Sequence, residues 1–247
     1  MGPAFEFTGA PYGVVGDGHM AHHMGCYLDL LHIPYCRWSR RLERDTSIPL
    51  GTAIGPCQVV LVLISDIAIE PFITSHPELA DKISVHFSGS LTTAHAQGMH
   101  PLSTFAGDLY TLSTYVTIPF VCEEGPHLFD DLFPELPNPH YRIATELRPL
   151  YHSLAVMGGN FTAILWNKLF DTFEERLGLP RTVALPYLKQ VALNLELAPD
   201  AAATGPLERG DAQTVDANIA ALDGDPFQAV YRAFVEAVAP DAAKGQP

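Results

Sequence analysis

Residues 12–21 read Tyr-Gly-Val-Val-Gly-Asp-Gly-His-Met-Ala. A short apolar run ends in Gly-x-Gly-x-x-Ala and passes into a helix-compatible segment. This order of strand, turn and helix constrains the fold more than any other feature of the chain. Gly16 permits a tight turn, Gly18 lets backbone approach a ligand, and Ala21 is small enough for close helix–strand packing. Free N–H groups at the start of such a helix, reinforced by its macrodipole, attract a diphosphate. The turn therefore points to a dinucleotide held by Gly16, Asp17, Gly18, His19, Met20 and Ala21, with a nicotinamide cofactor the expected class.

The pattern that follows agrees with this start. From residue 12 to about 121 strand and helix signals alternate. Strands are expected at 12–15, 34–39, 59–64 and 83–87, with shorter ones at 98–103 and 115–121. Helices are expected at 20–31 and 67–74. The run 59–64 is continuous, apolar and rich in β-branched residues, as in a central parallel strand covered on both faces. Such alternation predicts an α/β fold, a doubly wound sheet with right-handed crossovers. Three prolines between 134 and 139 mark a boundary, giving domains 1–138 and 139–247. Beyond it the pattern shows no strand. Helices are expected at 143–177 (one, or two joined at Pro149 and Gly158-Gly159), 182–197, 212–222 and 226–238, and the tail 240–247 is expected to fray.

Composition removes several function classes. The 247 residues carry 28 acidic against 14 basic side chains, a formal charge of -14. That argues against nucleic acid and anionic membrane surfaces as partners. An anionic cofactor is still allowed, because local donors decide its binding. The longest apolar run, 59–64, is far too short to span a bilayer. The N-terminus lacks the basic-then-apolar form of a signal peptide. The cysteines Cys26, Cys36, Cys57 and Cys122 have no Cys-x-x-Cys spacing and are expected as reduced thiols in a cytoplasmic protein. His19, His22 and His23 do not form a metal set: His22 and His23 point to different helix faces, and no thiolate or carboxylate completes the ligands.

Candidate chemistry lies at strand ends. After the second strand come Ser39, Arg40 and Arg41. An NAD-preferring fold would place Asp or Glu there for the ribose 2′-OH, whereas these are donors suited to a 2′-phosphate, so NADP is expected ahead of NAD. Ser65 and Asp66 follow the central strand and either line the cofactor groove or, for Asp66, cap the next helix. Ser88 could donate to a carboxamide or a substrate carbonyl, and His100 could act as a general acid. His152 and Asn160 lie about two turns apart on a helix and form either a cleft wall or a tied pair of core polar groups. Thr204 and Arg209 belong to a turn-rich loop before a helix that Asp211 caps. There Arg209 clamps a substrate carboxylate or pairs with Glu208 or Asp211.

The motifs GVVGDGHMAHH, WSRR, VLVLISDIAIEPFI, HFSGSL, GMHPLSTF, LYHSLAVMGGNF and TGPLERGDAQTV run from near residue 12 to near residue 222. Together they resemble a family that joins a Rossmann-like NADP oxidoreductase domain to a C-terminal helical domain of unknown function (2520). More distantly the arrangement is similar to pyrroline-5-carboxylate reductases, ketopantoate reductases and β-hydroxyacid dehydrogenases. The resemblance implies an all-α second domain like that of 6-phosphogluconate dehydrogenase, packed against its copy in a homodimer. It also implies a cleft between the domains holding a small-molecule substrate against the nicotinamide. One departure is plain. In β-hydroxyacid dehydrogenases and ketopantoate reductases a lysine stands one turn before an asparagine on the long helix. If Asn160 is that asparagine, the position holds Val156, which cannot donate a proton.

These readings combine into an NADP-dependent oxidoreductase acting on a small carbonyl or imine substrate that bears a carboxylate. Ser88, His100, His152 and Asn160 would surround the reacting carbon, with Thr204 and Arg209 at the carboxylate. A dinucleotide-binding sensor without turnover is the alternative that the missing lysine supports. A degenerate dimeric scaffold is the third, opposed by the intact glycine turn.

Overall fold

The computed structural model describes residues 7–238, so the expected frayed tail at 240–247 lies outside the described residues. Seven strands among them form one sheet: β1 (Tyr12–Val15), β2 (Tyr35–Trp38), β3 (Val59–Val62), β4 (Ile83–His86), β5 (Gln97–Pro101), β6 (Phe120–Glu123) and β7 (His140–Ile143). Their order is β2-β1-β3-β4-β5-β6-β7. Strands β1 to β5 are parallel, β6 is antiparallel to β5, and β7 is parallel to β6. The chain runs outward from β1 to β2, then crosses back to β3 on the other side, so the topological switch point lies between β1 and β3. This is a Rossmann-like α/β sheet.

Helices α1 (His19–Leu30), α2 (Arg40–Thr46), α3 (Leu50–Ala53), α4 (Asp66–Ser75), α5 (Leu112–Tyr115) and α6 (Phe129–Leu132) connect the strands. The α1 residues Ala21, Met24 and Leu28 follow helical spacing and are buried. They cover the sheet face that presents Tyr12, Val14, Leu61, Val85 and Met99. The opposite face presents Val15, Val60 and Val62 to Trp38, Ile54 and Ile69. Burial of each such side chain stabilises the fold by about 1.5–3 kcal/mol. Strand β3 is buried at every position, which explains its unbroken apolar sequence.

Register then alters the character of the second face. Val60 pairs with Ser84, and His86 pairs with Gly98. Side chains alternate along a strand, so Ser84, His86 and His100 continue the face that begins with Val60. That face is apolar at β3 and polar at β4 and β5.

Beyond the sheet come α7 (Arg148–Val156), a π-turn over Met157–Phe161, α8 (Thr162–Arg176), α9 (Leu185–Leu197), α10 (Ala212–Ala221) and α11 (Phe227–Val238). The chain divides into two compact units, Met1–Leu165 and Trp166–Pro247. Within the second unit Ala184, Val215 and Ile219 are buried, Lys168 pairs with Asp225, and the Asp211 carboxylate caps α10 by accepting from Thr214 N at 3.1 Å. Among the described residues no helix is long and apolar enough to cross a membrane.

Two local readings of the sequence need correction. The segment after the prolines contains a strand: His140–Ile143 pairs with β6. Its sequence, His-Tyr-Arg-Ile, lacks an apolar face because it is an edge strand. Residues 115–121 are not one strand either. Tyr115 closes α5, and β6 begins only at Phe120. β-Branched composition at 115–118 is overridden by the tertiary bond between Tyr115 and His23, at 2.8 Å.

Candidate functional site

The glycine turn stands at the carboxyl ends of β1, β2 and β3. Gly16 has φ +135°, and a Cβ there would lie 2.2 Å from the Leu63 carbonyl oxygen. No side chain fits, so the fold itself demands this glycine. Gly16 N donates to Trp38 O at 2.9 Å, and Leu63 N donates to Val15 O at 2.8 Å. These bonds fix the turn against the ends of both neighbouring strands. Ala21 is fully buried, and its Cβ would be 3.6 Å from a Cβ at Gly16.

Gly18 differs. Its φ is -86°, and a Cβ there would meet nothing within 4 Å. A Cβ at this position meets no protein atom, so packing against a Cβ does not account for the glycine. Gly18 also opens α1 with no side-chain cap, and the first turn contains no acidic residue. The first-turn N–H groups are therefore left for an external anion. His19 is exposed beside them and Met20 is half-buried.

A basic corner adjoins the turn. Asp17 Oδ2 accepts from Arg41 Nε at 2.6 Å and Oδ1 from Arg41 Nη2 at 3.1 Å, a two-pronged pairing. His22 Nε2 lies 3.1 Å and Arg37 Nη2 3.5 Å from the same Oδ1. The hydrogen bonds from Arg41 hold the Asp17 carboxyl below the usual carboxylate range. Ser39 serves the backbone: its Oγ accepts from Leu42 N at 3.1 Å and caps α2. Arg40 is exposed. Arg37, which the sequence reading passed over as a strand residue, has a buried Nε without a partner.

A second group of polar side chains gathers on the polar face of β4 and β5, where α7 meets it. Ser88 Oγ donates to Asp66 Oδ2 at 2.6 Å and accepts from Leu91 N at 3.0 Å. Asp66 is thus committed to Ser88, and the N-cap position of α4 is Ser65. The Ser88 carbonyl accepts from Arg148 Nη2. Arg148 is fully buried, with Nε 3.5 Å from Glu123 Oε2. Glu123 Oε1 accepts from Gly98 N at 2.6 Å. Burial pushes Glu123 up and Arg148 down, and their mutual attraction opposes both shifts.

His100 Nδ1 lies 2.7 Å from Tyr151 Oη, and the His100 and His152 ring centroids are 5.7 Å apart. Burial, reinforced by His152 and Arg148, lowers the His100 pKa to about 4. Burial also raises Tyr151 to about 12. Both groups are therefore neutral at pH 7. His86, fully buried with neither ring nitrogen bonded, is lowered to about 4 for the same first reason. His152 Nδ1 is buried without a partner and packs on Gly89, where a Cβ would lie 2.1 Å away. A Cβ at Gly98 would lie 2.5 Å from Arg148 Nη1. Gly89 and Gly98 thus admit the two α7 side chains to the sheet.

The structure thus brings Ser88, Asp66, His100 and His152 into one cluster and adds Tyr151, Arg148, Glu123 and His86, which the sequence reading missed. Tyr151 stands next to His152 in a helical run and reads as ordinary helix packing. Asn160 is exposed within the π-turn. That turn breaks the α-helical spacing that relates it to Val156 and His152. In the second unit Arg209 Nη1 donates to the Thr204 carbonyl at 2.5 Å, so those two residues are together. His23 is fully engaged, with Nδ1 at Tyr115 Oη and Nε2 2.7 Å from the Ala106 carbonyl.

Solved structures resemble the whole chain. A Bacteroides fragilis protein described provisionally as an NADP oxidoreductase is 21% identical, with a TM-score of 0.72 and coverage of 93% of this chain and 97% of that one. An imine reductase of Streptomyces aurantiacus is 15% identical, with a TM-score of 0.65 and coverage of 92% and 93%. The pyrroline carboxylate reductase of Plasmodium falciparum, solved with NADP bound, is 12% identical, with a TM-score of 0.58 and coverage of 93% and 95%. These similarities establish the Rossmann-like fold. No protein of curated function matches the chain by sequence. A family match covers residues 115–238, half of the chain and most of its helical region: the protein belongs to the family described as Domain of unknown function (DUF2520).

Proposed function

We propose that this protein is an NADP-dependent oxidoreductase that moves a hydride to or from the carbon of a small C=O or C=N substrate bearing a carboxylate. The observation that carries the reading is Gly18. Its glycine is unexplained by packing, and it fronts an uncapped helix N-terminus at the switch point of the sheet. A diphosphate explains both features. The amides of 18–21, with Gly16, Asp17, Gly18, His19, Met20 and Ala21 shaping the turn, would hold the diphosphate. Arg40 and Arg41 would take the 2′-phosphate, with Ser39 holding the start of α2 in place. Ser65 and Asp66 would line the groove beyond β3. The nicotinamide, when bound, supplies or accepts the hydride.

The chain's own contribution is hydrogen bonding and orientation. In this reading Tyr151 Oη is the donor to His100 Nδ1, which would place the ring hydrogen on Nε2. A neutral His100 so oriented would offer Nε2–H as a hydrogen bond that stabilises charge developing on the substrate oxygen or nitrogen, with the proton itself supplied by solvent. His152, against Gly89, is the second candidate donor. Ser88 is oriented by Asp66, and Asn160 offers an amide from the π-turn. Arg209, steadied by Thr204, is the proposed carboxylate anchor in the helical unit.

A homodimer fits the surface. Leu150, Leu154, Met157, Phe161 and Ile164, on α7, the π-turn and the start of α8, are 59%, 59%, 56%, 51% and 51% exposed. So many exposed apolar side chains on one segment call for a cover, and a second copy through the helical region is the proposed one. The free thiols support a reducing, cytoplasmic setting. Val156 keeps alive a second reading, a dinucleotide-binding sensor without turnover.

A panel of cyclic imines and 2-oxo acids, assayed by loss of reduced-nicotinamide absorbance, separates the two. Turnover that disappears in His152→Ala or His100→Ala, with NADPH affinity retained, supports the enzyme. Binding without turnover across the panel supports the sensor.

A further inference from the structure

We propose that Asp17 is a resident counter-anion in the corner that would receive the cofactor's 2′-phosphate, and that it sets how far the protein separates phosphorylated from unphosphorylated dinucleotides. The proposal rests on the dinucleotide reading above and concerns the selectivity of that same site.

Asp17 lies between the two glycines of the turn, and the turn is bonded to the end of β2 through Gly16 N and Trp38 O at 2.9 Å. The Arg41 guanidinium presents its Nε–Nη2 edge to the Asp17 carboxylate at 2.6 and 3.1 Å. That edge is the donor pair best matched to a phosphate. Arg37 and His22 approach the same carboxylate at 3.5 and 3.1 Å. Three basic side chains thus face one acid, and Arg37 Nε is buried with no partner. Arg40 adds a further exposed charge at the start of α2.

A phosphomonoester dianion arriving here must displace Asp17 from Arg41 or share the fork with it, against like-charge repulsion. A ribose with free 2′- and 3′-hydroxyls meets the opposite situation, since hydroxyls donate to a carboxylate. Asp17 therefore opposes the first ligand and accepts the second. The surplus of arginines leaves the phosphate as the better ligand by a reduced margin. Arg41 is 59% exposed and Asp17 23%, so the pairing is screened, and its removal corresponds to about a fivefold change in affinity.

The test is titration of the full chain with NADPH, NADH, 2′,5′-ADP and 5′-AMP, by fluorescence and calorimetry. Asp17→Asn, which keeps the shape of the side chain, is expected to tighten NADPH and 2′,5′-ADP about fivefold while NADH and 5′-AMP stay level or weaken. Arg41→Gln, in a chain that keeps Asp17, is expected to weaken NADPH and 2′,5′-ADP far more than NADH and 5′-AMP. An unchanged NADPH-to-NADH ratio in Asp17→Asn overturns the proposal, as does weaker NADPH binding. Equal losses for all four ligands in Arg41→Gln overturn it without use of the Asp17 variant. If the native chain binds NADH and NADPH but these ratios fail to move, only the Asp17 proposal falls. If the native chain binds neither dinucleotide, the oxidoreductase reading falls and takes the proposal with it.

Discussion

Tyr151 Oη and His100 Nδ1, 2.7 Å apart, join the start of α7 to the carboxyl end of β5. Neither group can ionise readily where it lies: burial holds the phenol near pKa 12 and the imidazole near 4. This buried contact orients the imidazole ring without placing a charge in the site. Held this way, His100 can offer a hydrogen bond to a bound molecule, but neither group is a ready proton source at neutral pH.

Tyr151→Phe removes the hydroxyl and keeps the ring. Loss of one neutral hydrogen bond costs about 1 kcal/mol of stability. With the His100 ring released, turnover is expected to fall about 100-fold, the size of losing one preorganised hydrogen-bond donor, while NADPH affinity holds. Steady-state rates on any substrate found active, paired with cofactor titration, check this. Undiminished turnover removes the pair from the chemistry.

Stability is expected to fall as the solution is acidified below neutrality. The His86 pKa is depressed from 6.5 to about 4 in the folded chain. Between those values the unfolded chain binds a proton that the folded chain refuses. The folded state is therefore fully favoured above about pH 6.5 and loses ground as pH falls toward 4, by up to about 3 kcal/mol for a ring this deeply buried. His100 acts in the same direction. Urea midpoints from pH 7.5 down to 4.5 should decline across this window, and His86→Leu should flatten the decline. A midpoint that is level with pH contradicts the burial of neutral imidazole.

The Arg148–Glu123 pair predicts a non-additive pattern. Both side chains are buried, and the Nε–Oε2 separation is 3.5 Å. Arg148→Met strands a buried carboxylate and is expected to cost about 3–5 kcal/mol. Adding Glu123→Gln to Arg148→Met should recover most of that loss, because the burial of charge has been removed. Denaturant unfolding of both singles and the double measures this. Simple additivity of the two losses would show that the groups do not interact.

What the sequence revealed and what it concealed divide along physical lines. The β1–turn–α1 unit was legible because Gly16 is dictated by backbone geometry and Ala21 by close packing against it, and the two leave a fixed spacing. β3 was legible because burial on both faces forbids polar residues. β7 was hidden because an edge strand needs no apolar face, and His140–Ile143 presents none. Arg148 and Glu123 were hidden because an interior ion pair between distant segments has no local periodicity. Tyr151 was hidden for a related reason: a tyrosine in a helical run packs there by default, and only the tertiary fold brings His100 to it. Ser39 read as a phosphate donor from its place after β2, and its position as the α2 cap emerges only once the helix boundary is known.

The central claim is that the α1 N-terminus behind Gly18 receives a dinucleotide diphosphate, and a comparison of Gly18→Ala with Gly16→Ala under NADPH titration tests it most directly. At Gly16 an added methyl would lie 2.2 Å from backbone, whereas at Gly18 it would meet nothing within 4 Å. The account predicts that Gly16→Ala loses stability outright. Gly18→Ala should keep the native thermal midpoint and lose NADPH binding, while the native chain shows saturable binding. Unaltered NADPH affinity in a well-folded Gly18→Ala, or no binding by the native chain, would contradict the account.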